Sequence, residues 1–340
     1  MDLPYPCLIF LGDVDRVSAK TASGMAYWRP EACVGQLRLP GGEADLRLPD
    51  MTPQAAQAAG ARSLLIGVAN AGGYIPPHWE AVLIEALEAG LDLVSGLHTR
   101  LADLPRIRDT AQRLGRRLIE AREPDPAICV VGTGEKRSGK RLLTVGTDCA
   151  VGKMYAALAI TAALKARGVD ADFRATGQTG IFIAGSGAPI DAIVSDFVAG
   201  AAEQLSPAAA PGHWDVIEGQ GSLFHPAYAG VTLGLLHGSQ PDALVLCHDA
   251  TRTAIDGLED FPLPSLSEAI SLNLKLAALT NPGVWLAGIC VNTSRLDDAA
   301  AAACLRDIEQ AIGVPACDPV RTGVAAIVDG LPLGDASVAA

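Results

Sequence analysis

Residues 141–160 read RLLTVGTDCAVGKMYAALAI: an apolar run, a loop bounded by Gly146 and Gly152, and an alanine-rich stretch opened by Lys153. The LLTV run suits a strand buried on both faces, and YAALAITAALKA has the composition of a strong helix. A loop joining such a strand to a helix N-terminus is where backbone N–H groups converge on a phosphate. Gly146 and Gly152 let the chain turn sharply and lie close to a ligand, with Thr147, Asp148, Cys149, Ala150 and Val151 filling the turn. Lys153 adds a point charge, and Met154 follows it into the helix. The usual signature is G-x-x-x-x-G-K-[ST], and its first seven positions occur literally at Gly134–Lys140, GEKRSGK. That stretch runs straight into a strand and leaves no helix N-terminus to face an anion, so it reads as a solvated loop. Context selects the longer loop at 146–153.

Similar apolar runs recur on both sides of this loop. CLIFLG, ARSLLIGVANAGG and AGLDLVSGLH precede it, separated by the helical patterns HWEAVLIEALEAG and LPRIRDTAQRLGRRLIEA. LLTVG, DADFRAT, DVIEGQG, ALVLCH and VWLAGICVN form a second series. Strands alternating with helices predict an α/β chain with parallel sheets. Between the two series, residues 122–141 are rich in Pro, Gly and charge, which places the domain connection there. The expectation is an N-terminal Rossmann-like βαβ domain over 1–125 and a C-terminal P-loop NTPase-like domain with a mainly parallel sheet over 126–340.

A chain of 340 residues with 49% hydrophobic and 19% charged residues sustains two such cores. Its net charge of -12, with a single small basic cluster at Lys136, Arg137, Lys140 and Arg141, argues against a nucleic-acid partner. No basic region opens the chain and no run of eighteen apolar residues occurs, so no membrane role is expected. Eight cysteines without a C-x-x-C pair read as reduced thiols in a cytoplasmic protein. Enzymes of this class and size often form symmetric homo-oligomers, which is the expectation here.

GTDCAVGKM resembles the extended phosphate loop of dethiobiotin synthetases, GTDTxVGKT, departing from it at Cys149 and Met154. DVIEGQGSLFHP, at 215–226, is similar to that family's strand ending in a Glu-Gly-x-Gly turn. Asn292, closing WLAGICVN, falls where the resemblance implies a contact with a nucleotide base. Met154 stands where a hydroxyl normally reaches Mg²⁺. Methionine cannot do this, which favours a phosphorylated ligand that is held but not hydrolysed, such as coenzyme A. Asp148 and Glu218 keep Mg-ATP open as the alternative, and no residue is assigned to a resident metal.

Over its whole length, through LIGVANAGGYIPPHW, GTDCAVGKM, TGQTG and IEGQGSL, the chain resembles the D-glutamate N-acetyltransferase (DgcN-type) family. The resemblance implies transfer of an acetyl group from acetyl-CoA to the amino group of D-glutamate, a small-molecule substrate, in bacterial D-amino-acid catabolism. Such a reaction needs a base for the ammonium, and Glu218 and His225, just past a strand end, are the candidates. Carboxylates call for a cation, for which Arg174 is best placed, with Gln178 and Thr179 expected opposite the phosphate loop. Asn70, with Gly72, Gly73 and Tyr74, and the pair His98 and Arg100 follow strands and are expected to line a cleft between the domains, as is the Asp13–Asp15 loop. The amides of Gly219 and Gly221 are candidates for holding the oxyanion. An acyl-enzyme on Cys149 would profit from the helix N-terminus, but no histidine lies near it in sequence, and a small residue packed under the loop is the simpler reading. The rival readings are an ATP- and Mg-dependent ligase or kinase of the dethiobiotin-synthetase type and a nucleotide-sensing regulator.

Overall fold

The CLIFLG run forms β1 (Cys7–Gly12), buried at every position as a strand covered on both faces must be. In the computed structural model, which describes residues 3–70 and 72–333, it is followed by α1 (Lys20–Trp28), β2 (Cys33–Arg38), α2 (Pro53–Ala58) and β3 (Ser63–Ile66). Then come α3 (Glu80–Glu88), β4 (Asp92–Ser95), α4 (Pro105–Leu114) and β5 (Leu118–Glu120). Residues 1, 2, 71 and 334–340, the last of which close the second expected domain, lie outside the described residues. Thr52 starts α2 by accepting a hydrogen bond from the Ala55 amide, with Pro53 in the first turn. Gly115, left-handed at φ 64°, ends α4. All four strand pairings are parallel, in the order β2-β1-β3-β4-β5. In this doubly wound order the winding reverses between β1 and β3, and the loops beyond their carboxyl ends are ligand positions.

One of those loops is held by a buried tryptophan. Trp79 meets Phe10 edge-on with ring centroids 5.0 Å apart, and its Nε1 donates to Asp13 Oδ1 at 2.8 Å. The other carboxylate oxygen of Asp13 lies 3.0 Å from Nε2 of His78. Asp13 therefore struts the entry to α3. Gly12 sits beneath the indole at φ 59°, where a Cβ would come within 2.6 Å of the ring.

The second series opens with β6 (Lys140–Gly146), α5 (Lys153–Ala166) and β7 (Ala171–Arg174), then α6 (Gln178–Ala184), α7 (Val198–Leu205), β8 (Trp214–Ile217), α8 (Ala229–Ser239) and β9 (Ala243–Asp249). A short antiparallel hairpin, β10 (Ala254–Ile255) and β11 (Leu258–Pro262), precedes α9 (Leu266–Ala277), β12 (Trp285–Asn292), α10 (Asp298–Ile312), β13 (Ala316–Cys317) and α11 (Ala325–Asp329). The six-stranded sheet has the order β13-β12-β9-β6-β8-β7 and is parallel throughout. β6 is thus central, flanked by β8 and β9, and the carboxyl ends of these three strands converge. Among the described residues no helix is long and apolar enough to cross a membrane.

The chain does not pass between the two units only once. The first unit takes residues up to Glu123 together with Gln178–Pro189, and the second takes Pro124–Gly177 and the chain from Ile190 onward. Gln178 and Thr179, expected opposite the phosphate loop, fasten α6 within the first unit. The Thr179 hydroxyl lies 2.8 Å from that of Thr21, and Gln178 Oε1 accepts from Arg122 at 3.0 Å. The apolar face Ile181, Phe182 and Ile183 is buried with them, so α6 is retained by its packing. The GEKRSGK stretch is also more than a solvated loop. The guanidinium of Arg137 donates to the carbonyls of Glu203, Ser206, Gly238 and Ser239. That of Arg141 donates to those of Arg137, Ser138, Ser206 and Pro207. The two side chains clamp the amino-terminal side of the sheet, satisfying carbonyls that would otherwise be buried unpaired.

Replacing Gly12 by alanine should combine a strained left-handed backbone with overpacking against Trp79. We expect a loss of about 2–5 kcal/mol in urea unfolding; a change below about 0.5 kcal/mol would show that the indole moves aside freely.

Candidate active site around the phosphate loop

The 146–153 loop closes β6 and opens α5 as expected. Two left-handed residues turn it, Ala150 at φ 52° and Gly152 at φ 95°. A Cβ on Gly146 would fall 2.9 Å from the Asp148 carbonyl oxygen and 3.1 Å from Lys153 Nζ, because the lysine folds back over its own loop. Its ammonium donates to the Asp148 carbonyl at 2.8 Å. Burial lowers the Lys153 pKa, opposed by its neighbours Cys149, Cys247, Asp148 and Glu218. Ser222, from the segment after β8, supports the loop from below, its hydroxyl lying 3.1 Å from the Gly146 carbonyl and 3.0 Å from that of Thr147. The Thr147 hydroxyl in turn lies 3.1 Å from Nδ1 of His248 at the end of β9.

The fully buried carboxylate of Asp148 organises the turn. Oδ1 accepts from the Cys149 amide at 2.6 Å, and Oδ2 accepts from Arg252 Nη1 at 2.7 Å and the Asp256 amide at 2.8 Å. Arg252 also donates to the Cys149 carbonyl at 2.7 Å. Both oxygens that would have served a metal are therefore committed within the protein.

Glu218 stands just past β8 with Oε2 accepting from the amides of Thr176 at 2.9 Å and Gly177 at 3.1 Å. Among the described residues Oε1 takes no hydrogen bond. Burial pushes its pKa up to about 7, with the two amides and Lys153 pulling the other way and Asp191 adding repulsion. A carboxylate fixed by one oxygen, with the other available and titrating near neutrality, suits proton abstraction. Gly219 has a different task from the one expected of it. Its N–H donates to Thr144 Oγ1 at 2.9 Å, and a Cβ there would meet the Thr144 carbonyl at 1.7 Å. It lets β8 pack against β6, and its amide is spent.

His225 is buried, with its ring centroid 4.4 Å from that of Tyr228. Nδ1 accepts from the Ala227 amide at 3.1 Å, so in the neutral ring Nε2 carries the proton. The imidazole presents a donor, and of the two base candidates Glu218 fits the role. A ring nitrogen of His225, the thiol sulfur of Cys149 and a carboxylate oxygen of Asp148 all lie within 4.8 Å of one another.

The remaining candidates are placed as follows. Arg174 donates through Nε to Asp215 at 2.6 Å and pairs with Asp172 at 3.4 Å. Asp215 also meets His213 Nε2 at 3.0 Å and accepts from the Ser206 hydroxyl at 2.6 Å. The guanidinium reaches back along β8 to a residue upstream of Glu218, so its charge is neutralised within the sheet. Asn292 donates to Asp249 at 3.2 Å, at the carboxyl ends of β12 and β9. In the first unit, Asn70 donates to the Tyr74 carbonyl at 3.0 Å while its buried Oδ1 has no partner among the described residues. The His98 amide donates to the Gly73 carbonyl at 2.7 Å. Arg100 forms an exposed pair with Glu123 at 2.9 Å. Thr144, Ser222, His248 and Arg252 join the site without having been expected there. For His248 and Arg252 a signal existed, since CHDATR follows an apolar strand and so opens at the carboxyl end of the sheet.

Residues 38–124 match the family model described as a domain of unknown function, DUF1611_N, Rossmann-like domain. Residues 130–328 match its companion, the DUF1611 (DUF1611_C) P-loop domain. A relative from Tritonibacter scottomollicae named D-glutamate N-acetyltransferase is 51% identical over 96% of this chain and 98% of its own. One from a Pseudoalteromonas species, with the same name, is 47% identical over 97% of this chain and 100% of its own. The crystal structure of a DUF1611 family protein from Anabaena variabilis is similar with a TM-score of 0.86 and 33% identity, over 96% of this chain and 98% of that one.

Arg252 is the counter-charge of a carboxylate with no exposed surface. Arg252→Ala should therefore destabilise the second unit by about 3–5 kcal/mol, much of it the cost of the unpaired charge left behind. Adding Asp148→Asn should recover part of that loss in urea unfolding. Strictly additive losses would show that the two side chains do not depend on each other.

Proposed function

We propose that this chain, which belongs to the DUF1611 family, transfers the acetyl group of acetyl-CoA to the amino group of D-glutamate; two relatives carry the name D-glutamate N-acetyltransferase. The observation that carries the chemistry is Glu218, whose unengaged Oε1 and pKa of about 7 suit it to take a proton from the substrate ammonium. The freed amine attacks the thioester carbonyl, the C–S bond breaks, and coenzyme A leaves as its thiol with an amide formed. The donor Nε2–H of His225 is suited to the oxyanion that develops on the carbonyl oxygen.

The loop amides and Lys153 are our assignment for the phosphates of the acetyl donor. Lys153 is already dry and bound to its own loop, so a phosphate gains a fixed charge at little ordering cost. Two features support this over a Mg-ATP ligase or kinase: Met154 offers no hydroxyl, and both oxygens of Asp148 are held by protein donors. We place the activity in the cytoplasm, in D-amino-acid catabolism, where eight unbridged cysteines persist.

Acetyl-CoA and D-glutamate should yield coenzyme A and N-acetyl-D-glutamate without ATP. Because Glu218 must be ionised, kcat/KM should fall about tenfold per pH unit below its pKa of about 7. Glu218→Gln keeps an acceptor for the two amides but removes the base, and should cost about 100-fold or more while abolishing that limb. Its folded pKa is raised, so ionising Glu218 subtracts stability as pH climbs from the ordinary carboxylate range to about 7. The variant should accordingly lose this decline and be no less stable at pH 8. Product formation that requires ATP and Mg²⁺, with no coenzyme A released, would refute the proposal.

A further inference from the structure

We infer that Cys149 is the first acceptor of the acetyl group, so that the reaction passes through an S-acetyl-cysteine in the phosphate loop. This inference rests on the acetyltransferase reading and deepens it. Sequence offered no histidine near Cys149, but the fold brings His225 and Asp148 to it, with a nitrogen, the thiol sulfur and an oxygen mutually within 4.8 Å.

Position and burial set Cys149 apart from Cys247, the other cysteine beside Lys153. Cys149 precedes the N-terminus of the fourteen-residue α5, whose dipole stabilises an anion there. Cys149 is the neighbour that does most to hold up the Lys153 pKa against burial. Cys247, the other cysteine beside that ammonium, is wholly buried and its pKa is pushed up to about 12. Cys149 is only partly buried. The carboxylate of Asp148 neither competes for the site as a free anion nor offers itself to a metal, since Arg252 and two amides hold both its oxygens.

The steps balance without a further reactant. The Cys149 thiol first releases its proton to solvent. Its thiolate attacks the acetyl-CoA carbonyl, with His225 donating to the oxyanion. The carbon–sulfur bond to coenzyme A breaks, and the departing thiolate takes a proton from water. D-glutamate then gives one ammonium proton to Glu218, and its nitrogen attacks the acetyl-Cys149 carbonyl. Collapse expels the Cys149 thiolate, and the second nitrogen proton passes to solvent.

The test is to mix the full-length protein with acetyl-CoA alone, quench in acid and measure the intact mass and the modified peptide. We expect one acetyl group on the peptide holding Cys149, removable by neutral hydroxylamine as a thioester is, and discharged by adding D-glutamate before the quench. Initial rates should give parallel double-reciprocal lines. Cys149→Ala should lose acetyl capture and about 100-fold or more of turnover at an unchanged melting temperature. If that variant unfolds, Cys149→Ser provides the same comparison. Wild-type protein that makes N-acetyl-D-glutamate while Cys149→Ala keeps activity within about threefold would overturn the relay alone. So would converging lines without captured acetyl, or one equivalent of tightly bound transition metal. Wild-type protein that releases no coenzyme A with D-glutamate would end both readings.

Discussion

The site depends on one carboxylate taken out of water. Asp148 lies wholly buried inside the turn between β6 and α5, bound by Arg252 and by the amides of Cys149 and Asp256. A charge in that position is tolerable only while it is paired and both oxygens are hydrogen-bonded. The requirement welds the phosphate loop to the segment after β9, and Arg252 extends the weld by bonding the Cys149 carbonyl. Ser222 does the same from the β8 side. The loop thus keeps its shape without help from a ligand, and a concave backbone of that kind has little ordering to do when an anion arrives.

The same dryness tunes the neighbouring groups. Burial raises Glu218 toward neutrality, and burial lowers Lys153 while its neighbours hold it back. Lys153 and Glu218 therefore oppose and stabilise each other across Gly219, whose missing side chain allows the β8 turn to touch β6. A glycine that looked available for an oxyanion contact is thus what lets the β8 turn lie against β6 and the Lys153 side chain.

Much of this was legible in the sequence because it is local. A buried strand, two glycines, a lysine and a helix are contiguous from Arg141 to Ile160, and the Glu-Gly-Gln-Gly turn follows directly on a strand. The alternation of strands and helices likewise gave two α/β units. What could not be read were partnerships between residues far apart in the chain. Arg252 finds Asp148 across 104 positions, and Arg174 is absorbed by Asp215, although an arginine after a strand looks the same whether it serves a ligand or a neighbouring carboxylate. The excursion of residues 178–189 into the first unit was hidden for a similar reason, since an apolar helix does not say which sheet it covers. The nearness of His225 to Cys149 exists only once β6 and β8 lie side by side.

The central claim, that the loop at 146–153 holds the phosphates of an acetyl donor, is tested most directly by calorimetric titration of acetyl-CoA against S-acetylpantetheine, which carries the same thioester and no phosphate. Charge-assisted hydrogen bonds to the loop should make acetyl-CoA the tighter ligand by about 100-fold or more, and Lys153→Ala should erase at least about tenfold of that advantage. Equal affinities for the two thioesters, or an advantage untouched by removing Lys153, would contradict the account.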